Sequence, residues 1–224
     1  MYCISVFGSN TGAVLAAMKK AAGDADVIEL RLDLMEEIEL EKLLPPAPRP
    51  LIVTFRSRLE GGKSDEDPDL VSHMQSQAME LGADYLDLEW SMPGRLRKKL
   101  VQKRGQSRII LSRHFQARTP GRKELLDLLK EMAASGADVI KIVTTALNIE
   151  DNFRVLGLIQ EARKIDVPIV AFAMGPPGRL SRLLCVPMGG FLTFACLDEN
   201  DALAAGQMTV RRMRRLTEEL LSGN

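Results

Sequence analysis

Eight short apolar runs recur along this chain of 224 residues, and helical patterns fall between them. The runs are CISVF (3–7), the core of GDADVIELRLD (23–33), LIVTF (51–55), the core of GADYLDLEW (82–90), RIILS (108–112), GADVIKIVTT (136–145), PIVAFAM (168–174) and GFLTFA (190–195). The helical patterns are 11–22, 36–44, 68–81, 93–103, 121–134, 150–164, a short piece near 179–185, and 204–221. Dividing 224 by 8 gives 28 residues per unit, which suits one strand, one helix and two short loops. Strands that alternate with helices in this way run parallel and are joined by crossover helices. Eight such units predict an α/β fold, a single (β/α)8 TIM barrel covering 1–224 as one domain. An open doubly wound sheet is the alternative. Against it, GSNTGAV (8–14) is only a partial match to a dinucleotide-binding fingerprint and reads equally well as a turn and helix cap.

Three runs share an opening, a small residue and an Asp, in GDAD, GADY and GADV, and each follows a helical pattern. Glycine at a helix end, then a strand, marks an αβ junction. PPAPRP (45–50) stops a helix before the third strand. RLRKKLVQKRGQSR (95–108) is basic and reads as a solvated helix face. Charge narrows the partners: 30 basic residues balance 30 acidic ones, so nothing global points to nucleic acid or an anionic membrane. No run reaches the ~18 apolar residues that span a bilayer. MYCISVFGSN has neither the basic start nor the apolar stretch of a signal peptide. Cys3, Cys185 and Cys196 lack framework spacing, which suggests reduced thiols in a cytoplasm. With only His73 and His114, and scattered cysteines, no metal site is expected.

A parallel barrel keeps its chemistry at the C-terminal ends of its strands. Ionisable residues gather there. Glu29, Arg31 and Asp33 alternate along the second strand and share one face, as do Asp87 and Glu89 on the fourth. The third strand ends in Thr54 and Arg56, the fifth in Ser112 and His114. The sixth carries Lys141 between apolar neighbours. Each case alone has a plain structural explanation, such as a Glu29–Arg31 ion pair, a loop histidine or a snorkelling lysine. Five consecutive strands doing the same at one end favour a site.

An unpaired ammonium in a strand interior costs several kcal/mol. A function explains it. Desolvation and nearby cations such as Arg31, Arg56 or Arg182 lower a lysine pKa, and the neutral amine attacks a carbonyl to form an imine. Once protonated, the imine is an electron sink. His114, ordinarily titrating near ~6.5, serves as the proton shuttle.

The chain resembles type I 3-dehydroquinate dehydratase, the Schiff-base enzyme of the shikimate pathway. The resemblance rests on ELRLD (29–33), TFRSRLEGG (54–62), DLEW (87–90), SRHFQARTP (112–120), ADVIKI (137–142), MGPPGRLSR (174–182), TFA (193–195) and AAGQ (204–207), in that order. It implies that Lys141 forms the imine with the C3 ketone of 3-dehydroquinate. It implies that His114 removes the C2 proton and returns one to the leaving C1 hydroxyl, with Glu60 orienting it and favouring its protonated form. Arg182 would clamp the substrate carboxylate, and Glu29, Arg31 and Arg56 would hold ring hydroxyls. Gln207, Phe194 and Met174 would complete the pocket. No cofactor or metal is implied, and a homodimer is. GPPG (175–178) fits a lid or a plain connection. The chain departs from the family pattern at Phe115, Leu203 and Ala205, where Leu203 supplies no hydroxyl. Two other readings stand beside this one: a class I aldolase or transaldolase, and a non-catalytic binder on the same fold.

Overall fold

The computed structural model describes residues 1–222, so the last two residues of the expected domain 1–224 lie outside it. Among these residues eight strands and eight α-helices alternate. They are β1 (Tyr2–Val6), α1 (Thr11–Ala21), β2 (Val27–Arg31), α2 (Leu40–Leu43), β3 (Leu51–Thr54), α3 (Pro68–Glu80), β4 (Tyr85–Glu89), α4 (Gly94–Lys103), β5 (Arg108–His114), α5 (Arg122–Ala133), β6 (Val139–Thr145), α6 (Asp151–Lys164), β7 (Ile169–Met174), α7 (Arg179–Leu184), β8 (Thr193–Ala195) and α8 (Val210–Leu221). The sheet runs β7-β6-β5-β4-β3-β2-β1-β8, and every pairing in it is parallel. At the β7–β8 seam, where β8 is only three residues long, the Phe191 amide donates to the Ile169 carbonyl at 2.7 Å. The fold is the expected (β/α)8 barrel, here nearly closed.

The strands read as almost unbroken apolar runs because both faces are covered. One side packs under the helices, and a single apolar cluster joins strands and helix faces around the barrel. α8 shows the helical half of this: Val210 and Met213 are buried, while Arg211, Arg212 and Arg215 face outward.

The three-fold GDAD, GADY, GADV repeat has a structural cause. Asp26 accepts the Tyr2 amide at 2.7 Å, Asp84 the Leu51 amide at 2.9 Å and Asp138 the Ile109 amide at 2.8 Å. Each aspartate thus ties down the start of the strand before its own. The glycines ahead of the second and third, Gly82 and Gly136, close α3 and α5 at φ +89° and +83°, in the left-handed region where a side chain is strained. These features hold the end of the barrel opposite the chemistry.

Two helix expectations are too long. The pattern at 36–44 forms only α2, Leu40–Leu43. The Glu39 carboxylate is used by Thr11 and Lys42, and Pro45 and Pro46 forbid extension beyond. The pattern at 204–221 starts as a helix only at Val210, where the Thr209 side chain caps it. The residues before it turn at Gly206 and fold over the barrel mouth.

Candidate active site

A cavity of about 320 Å³ opens at the C-terminal ends of the strands. Lys141, His114, Glu60, Glu29, Arg31, Arg56, Arg182, Gln207, Phe194 and Met174 all line it. The strand register brings them together: Ser5 lies level with Glu29, Thr54 with Asp87, and Ser112 with both Glu89 and Lys141.

Lys141 is 3% exposed. Its Nζ donates to Asp87 Oδ2 at 2.8 Å, lies 3.7 Å from Glu29 Oε1 and sits 4.0 Å from the centre of the Phe194 ring. The sequence reading surrounds this amine with arginines. The structure puts carboxylates closest instead, which answers how a buried ammonium is tolerated here. Arg56 stands behind them, 2.8 Å from Asp87 and 2.9 Å from Glu89. Burial disfavours ionising Asp87, yet Arg56 and Lys141 outweigh it and hold its carboxyl well below the usual range. Arg56 is itself buried, but its carboxylate neighbours more than offset that and secure its charge. It lines the cavity with Nη1 hydrogen-bonded to Glu89 and Ser112 and Nη2 in ionic contact with Asp87, and among the described residues Nη2 has no hydrogen-bond partner.

His114 ends β5. Its Nδ1 lies 3.0 Å from Glu60 Oε2, and its backbone amide donates to the same oxygen at 3.0 Å. A carboxylate only accepts, so the imidazole proton sits on Nδ1 and Nε2 offers a lone pair. Glu60 does not keep the ring charged, contrary to expectation. Burial, then Arg56 and Lys141, push His114 well below its ordinary value. Glu60 is already shared with Arg113 at 3.1 Å, Ser91 at 2.9 Å and Arg56 at 3.7 Å. The histidine is therefore a neutral, oriented base.

Arg182 reaches in from α7 and is 1% exposed. One nitrogen donates to the Phe194 carbonyl at 3.0 Å, and the guanidinium stacks 4.3 Å from the Phe172 ring centre. Among the described residues its Nε and second terminal nitrogen have no hydrogen-bond partner, and burial lowers its pKa to about 10. A buried cation with idle donors on a cavity wall is built to receive an anion, and a carboxylate matches its fork. Arg182→Met should raise KM about 10- to 100-fold, the worth of one charge-assisted hydrogen-bond pair. Because it also removes buried unpaired donors, its Tm should not fall. An unchanged KM, measured by steady-state kinetics, would remove the clamp from the scheme.

Arg31 is held by two 2.7 Å hydrogen bonds to Asp33, whose carboxylate is covered. Gln207 accepts the Leu203 amide at 2.8 Å, which turns its amide nitrogen away from that contact. Gly175 donates to Ala205 at 2.9 Å, and a Cβ on Gly206 would sit 2.3 Å from the Gly175 carbonyl. Only Gly175 of the GPPG turn lines the cavity, while Pro177 is tied to Asn152 at 2.8 Å. Leu203, Ala204, Ala205 and Gln207 line the same cavity. Leu203 and Ala205 line the wall, whereas Phe115 does not.

From sequence, Ser5 has no place in the site, and Asp87 appears among the inward-facing residues without a role. Ser5 lines the cavity and donates to Glu29 at 2.5 Å. Period-two alternation in β1 places it on the inner face. Asp87 is the mirror of Lys141, a charged residue amid apolar strand neighbours, and that symmetry was the available signal.

Fold and site together define a class, (β/α)8-barrel enzymes with a lysine amine inside the cavity. A family model for type I 3-dehydroquinase matches residues 2–222. A 3-dehydroquinate dehydratase of Dehalococcoides mccartyi is 40% identical over 199 residues, 88% of this chain and 86% of the relative. The chloroplastic bifunctional 3-dehydroquinate dehydratase/shikimate dehydrogenase of Arabidopsis thaliana is 33% identical over 217 residues, and this chain spans 36% of its length. A solved type I 3-dehydroquinate dehydratase from Clostridium difficile, with covalently modified comenic acid, superposes with a TM-score of 0.87 at 28% identity. That match covers 98% of this chain and 91% of the other. The chain belongs to the type I 3-dehydroquinase family. This membership displaces the aldolase reading and that of a non-catalytic binder.

Proposed function

We propose that the chain converts 3-dehydroquinate to 3-dehydroshikimate by syn elimination of water, through an imine on Lys141 with His114 as acid and base. Family membership supports the reaction. The convergence of Lys141, a neutral His114 and a partnerless Arg182 on one cavity supports the roles.

Arg182 receives the substrate carboxylate, which fixes the ring. The Lys141 amine adds to the C3 carbonyl, and the carbinolamine loses water to form the imine. His114 Nε2 takes the C2 proton, and the electron pair flows into the protonated imine. The C1 hydroxyl leaves with the proton His114 has just gained. Water then hydrolyses the imine and releases the amine. Glu60 holds the imidazole in the tautomer this needs. Glu29, Arg31 and Gln207 meet ring hydroxyls, Phe194 and Met174 shape the wall, and Arg56 keeps Asp87 ionised. The reaction needs no cofactor. A homodimer is the assembly the resemblance implies. The three buried free cysteines fit a reducing cytoplasm, and no helix among the described residues is long and apolar enough to cross a membrane.

The test is borohydride reduction during turnover of 3-dehydroquinate, followed by intact mass and peptide mapping. A ligand-sized adduct on Lys141 is the expected result. Folded protein that yields none would leave Lys141 a structural residue.

A further inference from the structure

Lys141 Nζ makes its one carboxylate hydrogen bond, among the described residues, to Asp87 Oδ2 at 2.8 Å. The other carboxylate nearby, Glu29, lies 3.7 Å away, and its two oxygens already accept from Ser5 at 2.5 Å and Thr54 at 2.8 Å. Asp87 is 1% exposed. Its far oxygen Oδ1 is gripped by Ser112 at 2.5 Å and Arg56 at 2.8 Å. The carboxylate is therefore fixed from behind, with Oδ2 aimed at the reacting nitrogen.

We propose that Asp87 is a further catalytic residue, the counterion that accepts the N–H of the protonated Lys141 imine and keeps that nitrogen cationic through the elimination. This rests on the imine reading given above. The bookkeeping of the step shows the need. The nitrogen lone pair forms the C–N bond to C3, and the carbonyl oxygen takes a proton. The ammonium gives up one proton to free that pair and a second after the attack, and these two protons turn the carbonyl oxygen into the water that leaves. The remaining nitrogen pair then forms the C=N bond. An ammonium carries three hydrogens, but this iminium carries one. If that one is lost, the neutral imine no longer draws electrons from C2. A single donor needs a single well-placed acceptor, and Oδ2 is already where Nζ points.

Other groups around this nitrogen do not replace it. Arg56 follows β3, and its positive charge opposes another cation nearby. His114 on β5 is neutral. Cys3 on β1 stays a thiol, because burial and then Glu29 raise its pKa. Glu29 on β2 is engaged as described, and Glu89 on β4 is taken by Arg56 and the Ser57 amide. The Phe194 face helps any cation, but it accepts no directed hydrogen bond comparable with a carboxylate.

Asp87→Asn tests this with nearly unchanged shape. Its kcat at mildly alkaline pH should fall about 100-fold, the order seen when one preorganised charge partner is lost. The basic limb of its kcat–pH profile should move acidward by about one unit or more. Cyanoborohydride, which reduces iminium in preference to neutral imine, should trap the variant well at low pH and poorly at high pH. A purely structural role would lower kcat at every pH and leave the limb where it was, and that result overturns the proposal. If Asp87→Asn does not fold, nitrogen-15-labelled lysine in the wild type, turning over 3-dehydroquinate, decides instead. The Lys141 signal should stay in the iminium range across the active pH range, and a neutral-imine shift there overturns the proposal. No adduct on wild-type Lys141 sinks the imine reading itself. An adduct with an unmoved limb in the variant sinks the counterion alone.

Discussion

Replacing Lys141 by alanine is expected to lower kcat by about 10⁵- to 10⁶-fold, the scale on which enzymes lose turnover when a covalent nucleophile is removed. The protein should still fold. Loss of the ammonium leaves Asp87 paired with Arg56 at 2.8 Å and Glu29 bonded to Ser5 and Thr54, so neither carboxylate is stranded. The volume vacated opens into the existing cavity rather than forming a sealed void. Single-turnover kinetics with a thermal melt on the same preparation separates the two effects. Activity lost with an unchanged Tm assigns the loss to chemistry. Turnover within about 100-fold of wild type would mean that general acid–base catalysis alone carries the reaction, since that term is typically worth 10²–10⁴.

Much of the fold was legible because its signal is repetitive. All eight apolar runs became strands, since a strand covered on both faces must be apolar almost throughout. Repetition also hid something. The recurrent aspartates mark strand starts, yet only the structure shows that Asp26, Asp84 and Asp138 each bind the amide of a neighbouring strand. Where local pattern competes with tertiary contact, the reading overran. Residues 204–209 look helical, but Gly206 must pass against the Gly175 carbonyl, and the chain turns there instead.

The site was legible in its members and not in its wiring. Strand positions pointed to Glu29, Arg31, Arg56, His114 and Lys141, and the resemblance supplied Glu60, Arg182, Gln207, Phe194 and Met174; all ten line one cavity. Which of them pair depends on strand register and side-chain reach, which one sequence does not fix. Lys141 could therefore be read as ringed by arginines, although Asp87, two strands away, is its partner. Glu60 could be read as charging His114, although Arg113, Ser91 and Arg56 draw on the same carboxylate. Arg182 went the other way: its want of partners is visible only in three dimensions and makes the expected clamp more concrete.

Removing the His114 imidazole should have the second largest effect and a different signature. His114→Ala is expected to lower kcat by about 10²- to 10⁴-fold, the usual worth of a positioned acid and base. Imine formation should survive in part, so borohydride still labels Lys141 when substrate is added. The pH dependence follows from the buried, neutral ring. Burial first, then Arg56 and Lys141, keep its folded pKa well below the ordinary ~6.5 of an imidazole. The base form therefore persists into acid, and the acid limb of the wild-type kcat/KM profile should lie below that ordinary value. Stability moves in the same window. Below ~6.5 the unfolded chain takes a proton at this histidine that the folded chain refuses, so wild-type stability drops as pH falls toward the depressed folded pKa. His114→Ala lacks that term and should lose less stability over the same range, by denaturant melts at matched pH. Near-wild-type turnover in the variant would transfer the base to another group. An acid limb at or above the ordinary imidazole value would show that Glu60 does hold the ring charged.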